Sequence, residues 1–485
     1  MALPSRTRPQ TNKESNVMEE RKTLIKMEHV KKSYDGRINV IEDFNLDIKE
    51  GEFVTLLGAS GCGKSTILRM IGGFETITEG KIYLDGVDLS TLPANKRPVN
   101  TVFQKYALFP HLNVYDNIAY GLKVKKMSKS DIEKKVKSVL EMVDLEGFEK
   151  RSISTLSGGQ QQRIAMARAI VNEPKVLLLD ESLSALDYRM RKEMQLELKE
   201  LHRKLGITFI FVTHDQEEAL TMSDKVVVMA DGVIEQVGTP EDIYNEPATL
   251  FVADFIGESN IFNGQMTDKL TAEFAGASFE CVDDYAVGTK IHAIIRPEDV
   301  EAVPESEGQL TGQVTIADFK GTFYTTYVQC GEYEFMMECR EYHAPGTTIG
   351  IRVIPDNIHI IRRDADMNKY LGTVTELMEG YMKVEFKDFS ATFPESQLPA
   401  GSVVGTRLIV SFNPDEAQMF DDADVGDVVG KILFIHYIGD HYSYTISSEN
   451  DEYYVVDDED LWNRNDKVSV KLPKDKLVFE LAGEE

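Results

Sequence analysis

The sequence contains no long run of apolar residues, although 42% of its residues are hydrophobic. No segment approaches the roughly 18 to 20 consecutive apolar residues that a membrane-spanning helix needs. Segment 1–23 is polar and lacks the apolar centre of a secretion signal, so we expect a disordered leader there. At 485 residues the chain is long enough for several domains that each bury a core. These features argue against an integral membrane protein.

Cysteine is also scarce. The four cysteines, Cys62, Cys281, Cys330 and Cys339, show no Cys-x-x-Cys spacing. This pattern is typical of reduced thiols and fits a cytoplasmic protein better than a secreted, disulfide-bonded one.

Basic residues are few in the second half of the chain. The net charge is −28, but residues 1–260 hold 35 Lys and Arg against 39 Asp and Glu, a net of −4. The remaining residues hold 18 basic and 42 acidic side chains, a net of −24. Nucleic-acid binding needs a cationic surface, so this balance argues against a nucleic-acid partner. An acidic surface can simply keep the protein soluble, and sensing of a cation is the alternative.

Residues 24–257 alternate short apolar segments, such as KVLLLD and TFIFVTH, with amphipathic helical patterns. Apolar runs of this length suit strands that are buried on both faces of a mainly parallel sheet. Segments 258–365 and 366–485 instead alternate Val, Ile, Tyr and Phe with glycine and acidic turns, which predicts small all-β modules. The predicted fold class is therefore an α/β domain followed by β modules.

The two β segments repeat one another. Gly288 and Pro297 recur 117 residues later as Gly405 and Pro414, and LTGQVTIADFKGTFYTTYV parallels VVGKILFIHYIGDHYSYTI. We therefore predict two copies of one β module; coincident turns in unrelated strands are the alternative.

The segment GASGCGKST follows an apolar strand and precedes a helix, as a phosphate-binding loop does. Its glycines permit a tight loop whose amides point at phosphates. Lys64 is suited to reach the β- and γ-phosphates of a nucleotide, and the hydroxyl of Ser65 is suited to ligate magnesium. The predicted ATP-binding residues of this loop are Gly58, Ser60, Gly61, Cys62, Gly63, Lys64, Ser65 and Thr66.

Polar residues follow three other predicted strands. Asp180 and Glu181 end KVLLLDE, Gln104 follows VNTVF, and His214 follows TFIFVT. Ligands of an open parallel sheet lie beyond the carboxyl ends of its strands, so these side chains should meet at one rim. Asp180 would hold Mg²⁺, Glu181 would orient or deprotonate water, and His214 would contact the γ-phosphate. The aromatic ring of Tyr34 could stack on adenine, or it could be an exposed turn residue without a role.

These motifs, in this order and together with LSGGQ and SALD, resemble the ATP-binding-cassette (ABC) family over residues 24 to about 362. The resemblance implies a P-loop ATPase with a helical subdomain, ATP and Mg²⁺ as ligands, and catalytic roles for Lys64, Glu181 and His214. The resemblance also implies that Gln104 holds Mg²⁺ together with Ser65 and Asp180, and that Asp187 belongs to the segment called the D-loop. It also implies that the LSGGQ segment binds the γ-phosphate held by a second cassette, so the simplest active form is a homodimer. The signature residues are Ser157, Gly158, Gly159 and Gln160.

Within that family the chain is similar to the ATPase subunits of spermidine and putrescine importers, partly because Ser182 follows the catalytic glutamate. The resemblance implies two permeases, an extracytoplasmic solute-binding protein, and a peripheral position on the cytoplasmic face of the membrane. Segment 258–365 resembles an oligonucleotide-binding-like (TOBE) regulatory module, whereas a second copy exceeds the usual length. Import of a sugar or iron, and a non-transport ABC ATPase, are the alternatives. A partly exposed permease groove, or else buried core, is predicted at Tyr106, Leu108, Phe109, Pro110 and Leu112.

Overall fold

The computed structural model describes residues 21–34, 39–181, 183, 187–230, 232–363, 368–438, 441–448, 451–457, 462–463 and 466–482. Within these ranges the chain divides into two compact units, one ending at Gly257 and the other beginning at Glu258. No helix among the described residues is long and apolar enough to cross a membrane.

The first unit is a mixture of strands and helices. Its strands are β1 (Thr23–Ser33), β2 (Asn39–Lys49), β3 (Phe53–Gly58), β4 (Glu79–Leu84), β5 (Val87–Asp88), β6 (Val99–Val102), β7 (Val176–Asp180), β8 (Thr208–Thr213), β9 (Lys225–Ala230) and β10 (Val233–Gly238). Its helices are α1 (Lys64–Gly72), α2 (Val114–Val124), α3 (Lys129–Met142), α4 (Gly158–Ile170), α5 (Tyr188–Leu205), α6 (Gln216–Met222), α7 (Pro240–Asn245) and α8 (Leu250–Phe255).

A six-stranded sheet in the order β10-β9-β3-β8-β7-β6 forms the centre of this unit. Strands β3, β6, β7, β8 and β9 are parallel, and β10 is antiparallel to β9. The apolar side chains of β7 pack on both faces, since Leu178 joins one core cluster and Leu177 and Leu179 join another. This two-sided burial explains why the strand reads as an unbroken apolar run. The predicted parallel sheet is thus present, with an antiparallel sheet β2-β1-β4-β5 beside it.

Helices α2, α3 and α4 form a separate helical cluster around one apolar core. Each helix contributes one apolar stripe, for example Ile118 and Leu122 from α2 and Val136 from α3, and these side chains are at most 1% exposed. Asn113 and Ser128 cap the starts of α2 and α3 by accepting hydrogen bonds from backbone amides.

The second unit consists of β-strands joined by turns and short 3₁₀ segments. Its strands are β11 (Asn260–Asp268), β12 (Thr271–Phe274), β13 (Ala277–Glu280), β14 (Lys290–Ile295), β15 (Glu301–Val303), β16 (Leu310–Phe319), β17 (Tyr324–Cys330), β18 (Tyr333–Cys339), β19 (Thr348–Arg352), β20 (His359–Arg362), β21 (Asn368–Met378), β22 (Tyr381–Glu385), β23 (Ser390–Pro394), β24 (Arg407–Phe412), β25 (Gln418–Phe420), β26 (Val428–Ile438), β27 (His441–Ser447), β28 (Glu452–Asp457), β29 (Lys467–Lys471) and β30 (Val478–Leu481).

The same pair of five-stranded sheets occurs twice in this unit. The orders β13-β12-β11-β14-β20 and β15-β19-β16-β17-β18 recur as β23-β22-β21-β24-β30 and β25-β29-β26-β27-β28. Each strand of the first set therefore has a counterpart ten strands later.

Each copy is also fastened by an equivalent asparagine. The Asn260 side chain donates to the Met336 carbonyl at 2.8 Å and accepts from the Met336 amide at 2.7 Å. Asn368 forms the same two bonds with Tyr454, at 2.7 and 2.8 Å. These asparagines bond strands of the two sheets in each copy, so the same contact closes both copies.

Candidate active site

The phosphate-loop segment connects β3 to α1, and its backbone requires glycine at two positions. Gly61 and Gly63 both have φ of +96°, which L side chains rarely adopt. A Cβ on Gly63 would lie 2.3 Å from Cδ1 of Ile41, and one on Gly58 would lie 2.3 Å from the Met229 carbonyl oxygen. Close packing and backbone conformation therefore both fix this loop.

Lys64 begins α1 and is only 4% exposed. Its ammonium group donates hydrogen bonds to the carbonyl oxygens of Gly58 at 2.8 Å and Ala59 at 2.6 Å. The structure gives it no carboxylate partner within the described residues, so this buried charge has only neutral acceptors. A buried cation of this kind is stabilised by an anion, and a phosphate group fits that requirement.

Ser65 and Asp180 meet beside the loop. The Ser65 hydroxyl donates a 2.9 Å hydrogen bond to Oδ1 of Asp180, which ends β7. A hydroxyl and a carboxylate oxygen are the hard donors that Mg²⁺ prefers. These two residues fit a magnesium site.

Glu181 lies next to Asp180 and connects two other predicted residues. Nε2 of Gln104 donates to Oε2 of Glu181 at 2.9 Å, and Nδ1 of His214 lies 3.7 Å from Oε1. The backbone of Glu181 is left-handed, with φ of +41°, and its amide donates to the Val212 carbonyl at 3.1 Å. Strained backbone of this kind persists only where surrounding contacts hold it. The neighbouring parallel strands thus bring the predicted strand-end residues together at one rim.

A hydrogen-bonded network lies behind His214, and the sequence analysis did not identify it. The buried Thr213 hydroxyl donates to Oε2 of Glu218 at 2.6 Å and accepts from the Asp215 amide at 3.0 Å. Burial raises the pKa of Glu218. Nη1 of Arg191, on α5, lies 3.3 Å from Oδ2 of Asp215. The two neighbours of His214 are therefore fixed by side chains, although His214 itself is 55% exposed.

Tyr34 lies near the phosphate loop. Its hydroxyl is 3.5 Å from Oγ1 of Thr66, Nζ of Lys32 is 4.7 Å from its ring centre, and the residue is 58% exposed. The ring is therefore accessible to a flat ligand, and stacking on adenine remains a prediction.

The signature residues start α4 in the helical cluster. The Ser157 hydroxyl accepts from the Gln160 amide at 3.3 Å, and the Gln160 side chain accepts from the Ser157 amide at 3.1 Å. This reciprocal pair caps the helix, while Ser157 and Gly158 are exposed and Gly159 is buried. In the described ranges no hydrogen bond or ion pair joins residues 157–160 to the phosphate loop. The N-terminus of α4 is therefore exposed to solvent at Ser157 and Gly158.

Asp187 caps α5 by accepting a 2.9 Å hydrogen bond from the Met190 amide. Ser182 lies outside the described residues, and so do segment 1–20 and residues 184–186, the first three residues of the SALD motif.

The prediction of an exposed permease groove is wrong for Tyr106. This residue is 7% exposed and its ring joins the core formed with α4 and α5. Its hydroxyl lies 3.4 Å from Oε1 of the buried Gln162, and burial raises the pKa of Tyr106. The Tyr106 backbone is left-handed, with φ of +58°. Leu108, Phe109 and Leu112 are half-buried and Pro110 is exposed.

Two further residues that the sequence analysis missed shape this loop. The amide group of the buried Asn117 accepts from the Phe109 amide at 2.8 Å and donates to three loop carbonyls, those of Phe109, Leu112 and Asn113. Arg168 donates to the carbonyls of Tyr106 and Ala107 at 2.9 and 2.8 Å. A lone asparagine and arginine in helical patterns gave no sequence signal for this role.

The comparison with known proteins decides the family. Residues 41–184 match the family described as ABC transporter, and residues 293–361 match the TOBE domain. A spermidine/putrescine import ATP-binding protein PotA from Bacteroides thetaiotaomicron is 50% identical over 462 residues, which is 95% of this chain and 98% of the relative. The chain belongs to the ABC transporter family. The predicted family and the predicted fold class are confirmed.

Other relatives of this ABC protein differ in length. A PotA protein from Acetivibrio thermocellus is 56% identical over 355 residues, which is 73% of this chain and 100% of the relative. A solved dimeric bacterial ABC transporter cassette is 35% identical, covers 45% of this chain and 99% of that chain, and has a TM-score of 0.41. The longer Bacteroides match leaves only 5% of this ABC protein uncovered, so it includes most of residues 366–485.

Proposed function

We propose that this chain is the ATP-hydrolysing subunit of an importer for polyamines such as spermidine and putrescine. The observation that carries the proposal is the 50% identity to a PotA protein over 95% of the chain. The geometry of the rim supports the ATPase part, because it combines a phosphate loop, a hydroxyl–carboxylate pair and a strand-end glutamate. The substrate is inferred from the relatives, since a transported solute need not touch this subunit.

In this proposal the loop from Gly58 to Thr66 binds the phosphates of ATP, and Lys64 neutralises part of their charge. Ser65, Asp180 and Gln104 would hold Mg²⁺, which supplies further neutralisation of the phosphate oxygens when it is bound. Tyr34 would stack on the adenine base. The support from this structure is the buried Lys64 ammonium and the 2.9 Å contact between Ser65 and Asp180.

Glu181 is proposed as the residue that orients and deprotonates the attacking water. The water oxygen bonds to the γ-phosphorus, its proton passes to the Glu181 carboxylate, and the bond to the ADP oxygen breaks. Gln104 holds one carboxylate oxygen of Glu181 at 2.9 Å, so the other oxygen can face the water. His214 is proposed to contact the γ-phosphate from the next strand.

We further propose that two copies of the chain form the active unit. Ser157, Gly158, Gly159 and Gln160 of one copy would bind the γ-phosphate held by the other, because a capped helix start with exposed glycine suits an anion. Asp187 would lie at the same contact. The exposed N-terminus of α4 supports this arrangement.

At the membrane, the dimer is proposed to bind two permease subunits on the cytoplasmic face, with an extracytoplasmic solute-binding protein delivering the cargo. Leu108, Phe109, Pro110 and Leu112 remain the proposed permease contact, now without Tyr106. The proposed division is an ATPase domain at 24–257, a TOBE-type module at 258–365 and its repeat at 366–485. The repeated sheet orders support the last two.

Solute uptake by cells tests the proposal. A strain that lacks its own copy of the gene would be supplied with this chain or with the Glu181→Gln variant, each together with the cognate permeases. Labelled spermidine, putrescine, a sugar and ferric iron would be offered separately. We expect uptake of the polyamines alone, and only with the unaltered chain. Uptake of sugar or iron instead would refute the assigned substrate, and equal polyamine uptake with Glu181→Gln would refute the assigned mechanism.

A further inference from the structure

The turn between α2 and α3 carries an unusual concentration of positive charge. Residues 123–137 contain seven lysines and two acidic residues, in a chain whose net charge is −28. Lys125, Lys126 and Lys129 lie where α2 ends and α3 begins, and all three are exposed. These three residues are called the lysine tip here.

The lysines near the tip differ in their ion pairs. Lys123 pairs with Asp116, Lys135 with Glu173, and Lys137 with Glu141. For the three residues of the lysine tip, by contrast, the described part of the chain provides no carboxylate within ion-pair distance. A charge run on a helix is usually a solvated face, but such a face in a folded domain commonly carries acidic partners as well. The positive charge of the lysine tip is therefore not balanced by an ion pair within the described residues.

Two exposed apolar side chains lie beside the lysine tip. Tyr120 is 48% exposed and Val124 is 68% exposed, and their spacing of four places them on one face of α2. The opposite face is buried through Ile118 and Leu122. The rings of Tyr120 and Phe109 are 4.7 Å apart, so this face continues into the proposed permease contact. Lysine beside exposed aromatic and aliphatic groups is the chemistry of side chains that lie at a membrane surface.

We propose that the lysine tip, with Tyr120 and Val124, binds the anionic phospholipid surface beside the permease. This inference rests on the proposed function, which places the loop around Phe109 at the membrane. Lysines suit lipid phosphates because each is a flexible point charge that needs no fixed partner geometry. A protein with 81 acidic residues is repelled by an anionic surface, so a local cationic patch decides which face approaches it. The bilayer contact thus orients the subunit towards its permease.

Vesicle flotation of the full-length protein tests this proposal at low ionic strength. The probe is vesicles of phosphatidylglycerol and phosphatidylcholine, compared with vesicles of phosphatidylcholine alone. Each lysine near an anionic surface contributes on the order of 1 kcal/mol, so the variant K125Q/K126Q/K129Q should partition about 100-fold less. The matched control K81Q/K96Q/R203Q removes three exposed charges elsewhere in the first unit. It should bind as the unaltered protein does.

Several outcomes would overturn the lipid contact. One is equal partitioning of the lysine-tip variant and its control. Another is that the unaltered protein binds uncharged vesicles as well as charged ones. A third is that it binds only vesicles that contain the permeases. The last result would assign the lysines to a protein partner. The ATPase rate of the lysine-tip variant in solution should be unchanged, which separates loss of lipid binding from misfolding. Failure of the proposed function would appear elsewhere, as polyamine uptake that does not depend on Glu181.

Discussion

If each ATP is held by the phosphate loop of one copy and the signature residues of another, two inactive variants should restore activity when they are mixed. Ser157→Asp is the sharper of the two changes. Aspartate caps a helix as well as serine does, so α4 should keep its start. Its carboxylate would, however, face the triphosphate of the partner copy. Lys64→Ala is the second change and removes the buried ammonium of the phosphate loop.

The size of each defect follows from charge. A unit charge about 4 Å from a phosphate charge costs about 4 kcal/mol at the effective dielectric constant of a protein surface. That energy corresponds to a rate loss of roughly 1,000-fold for Ser157→Asp. The control Ser157→Asn has the same capping ability and nearly the same size without the charge. It should retain most of the activity.

Random pairing of equal amounts of the two variants makes half of the dimers mixed. Each mixed dimer has one site with both defects and one site with neither, so the mixture should reach about a quarter of the unaltered rate if the sites act independently. The assay is phosphate release after dissociation and reassociation of the subunits. A mixture as inactive as its components, or a Ser157→Asp variant with full activity, would refute binding of the signature residues across the dimer.

Three other predictions follow from the contacts of the two units. Glu181→Gln should leave ATP affinity unchanged but slow hydrolysis by about 100-fold or more and accumulate an ATP-dependent dimer in gel filtration; rapid turnover would contradict its role. Arg191→Met removes a partly exposed ion pair with Asp215 that contributes little to stability, so the melting temperature should change little; the less well fixed position of the adjacent His214 should lower kcat by about fivefold with little change in KM, and a change in melting temperature alone would show a purely structural role. Asn368→Ala removes two hydrogen bonds to the partly buried backbone of Tyr454 and should destabilise its β module by about 1–3 kcal/mol in thermal unfolding, as Asn260→Ala should in the other copy, while the ATPase rate stays unchanged.

Much of the site could be predicted because its signals are local. A glycine-rich loop predicts a phosphate-binding site, and an apolar run that ends in two carboxylates predicts a catalytic strand end. Each motif is about ten residues long or shorter. Parallel strands then bring the run ends together without further information from the sequence. The contact of Gln104 with Glu181 is a consequence of that rule.

The missed features depend on contacts between distant segments. Arg191 reaches Asp215 from another element, and nothing in its helical pattern predicts this pairing. Asp215 and Glu218 did carry a signal, since an acidic residue followed three positions later by glutamate is typical of a helix start. The sequence leaves a partly exposed groove and buried core both open for Tyr106, because the contacts of its ring with residues of α4 and α5 join segments that are distant in the chain.

The order in which the sheets of the β unit close has a consequence for protein synthesis. Strand β24 ends at Phe412, but its neighbour β30 begins only at Val478. During translation, β24 must therefore wait with one edge open until the ribosome has produced β30. Open edges pair readily with other strands, so nascent chains halted in this interval are prone to aggregate. The first copy has an equivalent interval, because β14 ends at Ile295 and its neighbour β20 begins only at His359, so each β module passes through one such open-edged stage.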